Sequence, residues 1–257
     1  MIQQIQADLI ALRARFATTP LPTVLTVPEG KQHVLHPSGR ISYSSTVYCF
    51  TGPKQSLLDN WSPTPTKISS NTFATAEQLI FLASKAALFA DNKSLTLATS
   101  SPNMDPKTAK ALGRKVGNFK PEVWGPASLW LSDVVVLLKV LQNPAAMDEL
   151  LSTRGLLIAE GAPRDKLWGI GASCKTVDVA LNKEMWRGRN ELGKSLVRVR
   201  EYVLKALEAE NVEDIEPIVG QDKWDKFFGW FENGKQKRDR EEQSTDNEPV
   251  ESKKIKL

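Results

Sequence analysis

A glutamate near the start of a predicted helix is the first residue whose position suggests chemistry. In the run Thr75-Ala-Glu77-Gln78, a Gln follows a Thr by three residues and directly precedes an apolar stretch. This is the pattern of a capping box, so Thr75 is expected to be the N-cap. Glu77 then lies in the first helical turn, where free N–H groups and the helix dipole favour an ionised carboxylate. Such a group can act as a base or a nucleophile, or stabilise an oxocarbenium ion, although first-turn glutamates are also common stabilising features.

Two segments further along the chain combine tryptophan with glycine. Residues 166–171 read Lys-Leu-Trp-Gly-Ile-Gly, and residues 186–193 read Trp-Arg-Gly-Arg-Asn-Glu-Leu-Gly at the start of a predicted long helix. Glycine lets the backbone approach a ligand closely, and tryptophan can stack on a base or a ribose. Arg187 and Arg189 can pair with phosphate at the helix start. Tryptophan beside glycine also commonly fills protein cores, so a binding role and a packing role both stay open.

The scarcity of histidine and cysteine argues against several kinds of active site. The 257 residues include two His and two Cys. A zinc site of thiolates and imidazoles would need His33, His36, Cys49 and Cys174, whose spacing does not suit one. A Ser-His-Asp triad would have to use a His from a polar N-terminal stretch. Hydrolysis would then depend on carboxylates, lysine or a metal held by oxygen, and two distant cysteines fit a reducing compartment.

The composition is that of a soluble protein, which we expect in the cytoplasm or the nucleus. Hydrophobic residues make up 41% and charged residues 25% of the chain, with a net charge of +4. That charge is too small to indicate nucleic-acid binding by itself. The first residues lack the pattern of a secretory signal, and the longest apolar stretch, Val134–Leu138, is much shorter than the roughly 20 residues of a membrane span. We therefore expect no membrane association.

The N-terminal region predicts one helix followed by short strands. Apolar residues recur at intervals of three and four over residues 2–16, and two prolines end the pattern. The apolar face would either pack on its own domain or form a dimer seam. Val24–Val27 and Ile41–Phe50 are rich in β-forming residues and predict strands around the polar turn His36–Arg40.

From residue 75 onward the pattern is mainly helical. An aromatic stripe between Asp222 and Phe231 predicts a final amphipathic helix that either covers the core or docks onto a partner. The other predicted elements are helices over 75–90, 107–116, 127–142, 145–152 and 190–209, and a strand over 156–159.

The last residues predict a solvated tail. Nothing aromatic follows Phe231, and two basic clusters, 235–240 and 253–256, flank an acidic middle. The two clusters resemble a bipartite nuclear-import signal, which an import receptor would bind. A tail that only confers solubility is an equal alternative.

Several motifs in a fixed order resemble the NADAR, or YbiA-like, domain family. The similarity extends over roughly Val47 to Glu208 and is strongest in Ala159–Gly171 and Trp186–Arg200. Asp59 departs from the pattern, because many members have Ser there. The other segments that resemble the family are Phe50–Trp61, Thr75–Phe89, Ala111–Arg114, Leu141–Pro144 and Glu149–Thr153.

The resemblance implies an N-glycosidase that cleaves the bond between ribose C1′ and an exocyclic nitrogen, with no cofactor or metal. Its substrate types are ADP-ribose on the guanine amino group of nucleic acid and phosphoribosylamino intermediates of riboflavin synthesis, and the basic tail makes us favour the first. A ligand-binding module without turnover is the alternative from another class. The implied fold is α+β and predominantly helical, a single domain with a few short strands. We expect an N-terminal extension over 1–46, this domain over 47–210, an amphipathic helix over 211–232 and a disordered charged tail over 233–257.

The resemblance also assigns roles by position. It places the essential acid on Glu77 and the family's helix lysine on Lys85, which would anchor phosphate, form an ion pair or form a Schiff base with the opened ribose. Asp165 is the candidate for a second carboxylate, with Glu160 behind it. The predicted substrate-binding residues are Asn60, Trp61, Arg114, Trp168, Gly169, Gly171, Trp186, Gly188 and Asn190.

Overall fold

Helices make up about half of the described residues, 2–232, in a computed structural model. The predicted tail, 233–257, lies outside the described residues. The α-helices are α1 Ile2–Thr18, α2 Lys85–Leu88, α3 Asn92–Thr99, α4 Pro106–Gly113, α5 Pro121–Gln142, α6 Pro144–Ser152, α7 Val177–Ala180, α8 Glu191–Glu208 and α9, which includes residues 221–232.

A small mixed sheet lies beside these helices. Its strand order is β1-β2-β3-β6, and β4 pairs with β5 in a separate hairpin. Neighbours are antiparallel from β1 to β3, whereas β3 and β6 are parallel, with Phe50 opposite Glu160. The carboxyl ends of β3 and β6 therefore meet at one edge of the sheet. The strands are β1 Val34–Leu35, β2 Ile41–Tyr43, β3 Val47–Phe50, β4 Thr66–Ile68, β5 Asn71–Phe73 and β6 Leu157–Glu160.

The predicted strand Val24–Val27 is wrong. The N–H of Leu25 donates to the carbonyl of Ser152 at 2.9 Å, so this segment lies against the C-terminal end of α6 and does not join the sheet. The strand before the polar turn is β1. The stretch Ile41–Phe50 forms two antiparallel strands, because the chain reverses over residues 44–46.

Helix α1 packs on its own chain. Ile5, Leu9 and Leu12 are buried, as the spacing predicts, and the helix contacts α5, α8 and the turn Val212–Asp214. Arg15 of α1 and Asp148 of α6 form an ion pair at 2.7 Å. The apolar face is therefore covered within the chain, and the dimer-seam interpretation does not hold.

Helix α5 lies in the centre of the core. Every side chain from Leu131 to Leu138 is buried. Within residues 2–232, α5 alone has the length and hydropathy of a membrane span, but 67% of its apolar window is buried inside the protein. A helix that is hydrophobic on all sides and enclosed by its own fold is a core helix.

The aromatic residues of α9 cover this core. Trp224, Phe227 and Phe231 are buried, and Phe231 contacts Phe73 of β5 edge to face, with ring centroids 5.5 Å apart. Trp230 packs near Trp130 of α5, with a centroid separation of 6.1 Å. The aromatic stripe thus packs on the core, which was one of its two predicted roles.

A π-helical segment, Gln78–Ser84, leads directly into α2. Thr75 is the N-cap, as predicted, because its Oγ1 accepts the N–H of Gln78 at 3.2 Å. The side chain of Gln78 accepts from the N–H of Ala74, one residue earlier than in a regular capping box. The prediction of one α-helix over 75–90 is wrong in this stretch, because apolar spacing does not distinguish the two helix types. Segments of this kind recur at functional sites.

Candidate active site

The candidate site lies where β3 and β6 end. The N–H of Gly161, just after β6, donates to the carbonyl of Phe50 at 2.7 Å, which fixes the two strand ends side by side. The chain leaving β3 leads to a turn at Asp59–Trp61, and β6 itself ends on Glu160. Polar side chains at the carboxyl ends of neighbouring parallel strands converge on one edge, a common position for ligand sites.

Asp59 organises the turn after β3. Its Oδ2 accepts the N–H of Gly52 at 2.7 Å, and its Oδ1 accepts the N–H of Trp61 at 2.8 Å. The Asp59 carbonyl accepts from the Lys139 ammonium of α5 at 2.9 Å. Burial lowers the pKa of Lys139 to about 8, although Asp59 and Glu149 oppose this shift. The Asp59 carboxylate therefore builds the turn.

Glu77 is attached to that turn by two hydrogen bonds. Its N–H donates to the carbonyl of Asn60 at 2.9 Å, and its Oε2 accepts the indole N–H of Trp61 at 3.1 Å. Glu77 is only 6% exposed. The three residues that were predicted separately for the site are thus in direct contact.

The environment of Glu77 raises its pKa to about 7. Burial is the largest cause, and the charges of Asp59 and Asp165 act in the same direction. Lys110 and the Trp61 hydrogen bond oppose the shift. The first-turn position was expected to favour the ionised form, but desolvation outweighs it here. A carboxylate whose pKa lies near neutrality is suited to acid–base chemistry.

Glu160 is the second carboxylate of the site. Its pKa is raised to about 8, chiefly by burial and also by the charges of Asp59 and Asp165. Its Oε2 is buried and has no hydrogen-bond partner within residues 2–232. The same is true of the side-chain oxygen of Asn60, which is 6% exposed. Buried polar atoms are normally paired, so two such oxygens in one site are consistent with space for a ligand or water.

Asp165 holds its own loop. Its Oδ1 accepts the N–H groups of Leu167 and Trp168 at 3.0 and 2.8 Å. Its charge acts on both Glu77 and Glu160, so it lies close to the site. Of the two candidates for the second carboxylate, Glu160 has an Oε2 without a hydrogen-bond partner, whereas the Oδ1 of Asp165 already accepts two N–H groups.

The glycines of the two Trp-Gly segments face each other. A Cβ on Gly188 would overlap the carbonyl oxygen of Gly169 and lie 2.9 Å from the N of Gly171. The N–H groups of Arg187 and Gly188 both donate to the carbonyl of Ile170. These glycines therefore allow two backbones to approach each other, whereas the sequence suggested an approach to a ligand.

The two tryptophans of these segments differ in position. Trp168 is buried and contacts Phe81 of the π-helical segment edge to face, with centroids 5.1 Å apart. Trp186 donates its indole N–H to the carbonyl of Ala180 at the end of α7 and packs against a separate small cluster with Cys49 and Cys174. Trp168 adjoins the helix that carries Glu77, and Trp186 secures the segment between the two motifs.

Asn190 fixes the end of β6. It adopts a left-handed conformation, with φ of 55°, and is buried. Its Oδ1 accepts the N–H of Glu160 at 3.0 Å, and its Nδ2 donates to the carbonyl of Ile158 at 2.8 Å. This side chain continues the hydrogen bonding of the strand and positions Glu160.

Lys85 lies in an aromatic environment one helix segment away from Glu77. Its Nζ is 4.1 Å from the ring centroid of Phe119 and 5.4 Å from that of Trp124, and it donates to the carbonyl of Gly113 at 2.8 Å. Burial lowers its pKa. Its role as anchor or amine nucleophile stays a prediction.

Lys110 of α4 is the cation whose charge acts on both Glu77 and Glu160. Its Nζ lies 5.5 Å from the centroid of the Trp61 ring. Sequence reasoning chose Arg114 instead, which is exposed and lies one turn further along the same helix. The signal for Lys110 was its i,i+4 relation to Arg114, which places both on one face.

Comparison with known proteins then establishes the family. The profile of the NADAR domain matches residues 46–204. The chain belongs to the NADAR family. It is 35% identical over 154 residues to N-glycosidase R617 of Acanthamoeba polyphaga mimivirus, covering 56% of this chain and 86% of that protein.

Two further likenesses agree with the family. N-glycosidase Npun_R5314 of Nostoc punctiforme is 30% identical over 150 residues, covering 58% of this chain and 86% of that protein. The NMR structure of the E. coli protein YbiA is 21% identical with a TM-score of 0.52, covering 72% of this chain and 98% of that chain. The second likeness supports the α+β, predominantly helical fold of this NADAR protein.

Proposed function

We propose that this NADAR protein removes ADP-ribose from the guanine amino group of nucleic acid by hydrolysing the bond between ribose C1′ and the exocyclic nitrogen. The enzyme class, a hydrolase of N-glycosyl bonds, follows from the family and its N-glycosidase relatives. The observation that carries the proposal is the buried Glu77, held by Trp61 and given a pKa of about 7.

Cleavage of an N-glycosyl bond needs a group of this kind. As the C1′–N bond breaks, positive charge develops on the ribose ring, and a fixed carboxylate stabilises it. An ionised Glu77 can also accept a proton from the attacking water. Because its backbone and its Oε2 are both fixed by the 60–61 turn, Glu77 needs little reorganisation during the reaction.

The charge of α4 and of the segment that joins it to α5 supports a substrate with several phosphates. Residues 106–121 contain five basic residues and no Asp or Glu, although the net charge of the whole chain is only +4. Lys110 reaches the Trp61 ring from this helix, and Arg114 is exposed one turn further on. A pyrophosphate and a nucleic-acid backbone benefit more from such a basic surface than a single phosphate does. The five basic residues are Lys107, Lys110, Arg114, Lys115 and Lys120.

One assay with two substrates tests the proposal. The purified protein is incubated with DNA that carries ADP-ribosyl-guanosine and, separately, with a ribosylaminouracil phosphate. Release of free ADP-ribose from the DNA at the higher kcat/KM is the expected result. Preferential release of ribose phosphate would assign the riboflavin-type substrate, and binding without product from either substrate would contradict an enzymatic function.

A further inference from the structure

Glu160 has the features of a proton donor that no other carboxylate of the site combines. Its Oε2 is buried without a hydrogen-bond partner in the described part of the chain, whereas both oxygens of Asp59 and the Oδ1 of Asp165 accept backbone N–H groups. Glu77 already accepts from Trp61. A carboxyl group that must deliver a proton needs an oxygen that no protein group already occupies, and Oε2 of Glu160 is such an oxygen.

The backbone of Glu160 is fixed from three sides. Its N–H donates to Asn190, and its carbonyl accepts the N–H groups of Ala162 and Ile170, each at 2.9 Å. The strand β6 is held in turn by β3, with Glu160 opposite Phe50. The side chain therefore starts from a rigid backbone position, as a catalytic site requires.

The charge of Glu77 acts on the second glutamate of the site, Glu160. Each has a raised pKa, about 7 for Glu77 and about 8 for Glu160, and the charge of Glu77 contributes to the shift of Glu160. Two interacting carboxyl groups with separated pKa values divide the roles of base and acid between them. The order of the two values gives Glu77 the larger ionised fraction and Glu160 the larger protonated fraction.

We infer that Glu160 is the general acid that protonates the leaving guanine nitrogen, a role that rests on the proposed function. The C1′–N bond breaks and its electron pair goes to the nitrogen, which takes the proton of Glu160. Water attacks C1′ and gives a proton to Glu77. Proton exchange with solvent then returns both groups to their starting states, and the products are ADP-ribose and guanine with a free amino group.

The leaving group decides whether such an acid is needed. Nitrophenolate is a stable anion and leaves without being protonated, whereas the guanine nitrogen must be protonated as it leaves. Loss of a general acid should therefore slow cleavage of the guanine substrate much more than cleavage of the nitrophenol substrate. The test compares wild type, Glu160→Gln, Glu77→Gln and Asp165→Asn on ADP-ribosyl-guanosine DNA and on an ADP-ribosyl 4-nitrophenol. Near-UV circular dichroism verifies that each variant is folded.

The expected result for Glu160→Gln is a loss of about 100-fold or more in kcat on the guanine substrate and less than about tenfold on the nitrophenol. Glu77→Gln should lose activity on both substrates, and Asp165→Asn should reduce both to the same extent. The wild-type rate should also fall above about pH 8, and Glu160→Gln should lack this fall.

Two results would overturn the inference while leaving the proposed function intact. One is full activity of Glu160→Gln on the guanine substrate, and the other is an equal loss on both substrates. If the wild type cleaves neither compound, the proposed function itself fails, and the role of Glu160 fails with it.

Discussion

Trp61 donates its indole N–H to Oε2 of Glu77 at 3.1 Å. A residue predicted to bind substrate thus holds the carboxylate of the site. The same ring lies 5.5 Å from the ammonium of Lys110, so a cation, an aromatic ring and a carboxylate follow one another across the site. This arrangement favours the ionised form of Glu77, against the burial that favours the neutral form.

Lys110→Met should raise the pKa of Glu77 above its value of about 7. The lysine charge favours the carboxylate, so its loss moves the acidic limb of the pH–rate profile upward by roughly 1 pH unit. The measurement is kcat against pH, with Lys110→Arg as the charge-preserving control. An acidic limb that stays in place in Lys110→Met would show that this lysine does not act on Glu77.

Glu77→Gln should make the protein more stable in mild alkali. The carboxyl has a pKa of about 7 in the folded state and 4.5 in the reference state, so the folded state loses stability as pH rises from 4.5 to 7. Removing the charge should recover up to about 3 kcal/mol at pH 8 and nothing below pH 4. Urea unfolding at both pH values measures this. Glu122→Gln, at an exposed first-turn glutamate of α5, should lower stability at pH 8 by no more than about 1 kcal/mol, because it loses only the interaction with the helix dipole. A destabilised Glu77→Gln at pH 8 would contradict the raised pKa of Glu77.

Two substitutions of Asn190 should separate the stability contributed by its side-chain hydrogen bonds from the stability that depends on its left-handed backbone conformation. Asn190→Gly loses the two bonds to Ile158 and Glu160, at a cost of about 2 kcal/mol, but tolerates the φ of 55°. Asn190→Ala should lose roughly a further 1 kcal/mol to strain. Chemical denaturation measures both, and kcat should fall in both because Glu160 is no longer fixed. Equal activity of Asn190→Gly and wild type would contradict the positioning role.

Gly188→Ala should be strongly destabilising. The new Cβ would overlap the carbonyl of Gly169, which belongs to backbone that cannot move aside easily, and the expected loss is more than about 2 kcal/mol. Gly229→Ala in α9 is the matched control, because nothing lies within 4 Å of its Cβ position. That change should stabilise the helix by about 0.5–1 kcal/mol. The melting temperatures of the two variants should therefore shift in opposite directions. An unchanged melting temperature for Gly188→Ala would contradict the close packing of the two backbones.

The part of the site that is formed by consecutive residues was predicted from the capping pattern of the sequence. The N-cap at Thr75 and the position of Glu77 follow from four consecutive residues, and the structure confirms the cap. The pKa of Glu77 does not follow from those residues, because it depends on burial and on Lys110 and Asp59, which other segments bring near.

Long-range packing accounts for what the sequence did not reveal. Glu160 reaches the site because β6 pairs with β3, more than 100 residues earlier in the chain. Lys110 reaches it because Gly113 lets α4 approach the carbonyl of Phe81 in the π-helical segment, where any side chain would collide. Glycine at such a position signals a close approach, but only the fold shows what approaches.

The most direct measurement of the central claim is the single-turnover rate of ADP-ribose release from ADP-ribosyl-guanosine DNA at pH 7.5 by wild type, Glu77→Gln and Glu122→Gln. We predict a loss of 100-fold or more for Glu77→Gln, because a group that carries acid–base and electrostatic catalysis contributes about that much. Glu122→Gln should match the wild type. A rate for Glu77→Gln within twofold of wild type would contradict the assignment of this carboxylate, and with it the candidate active site.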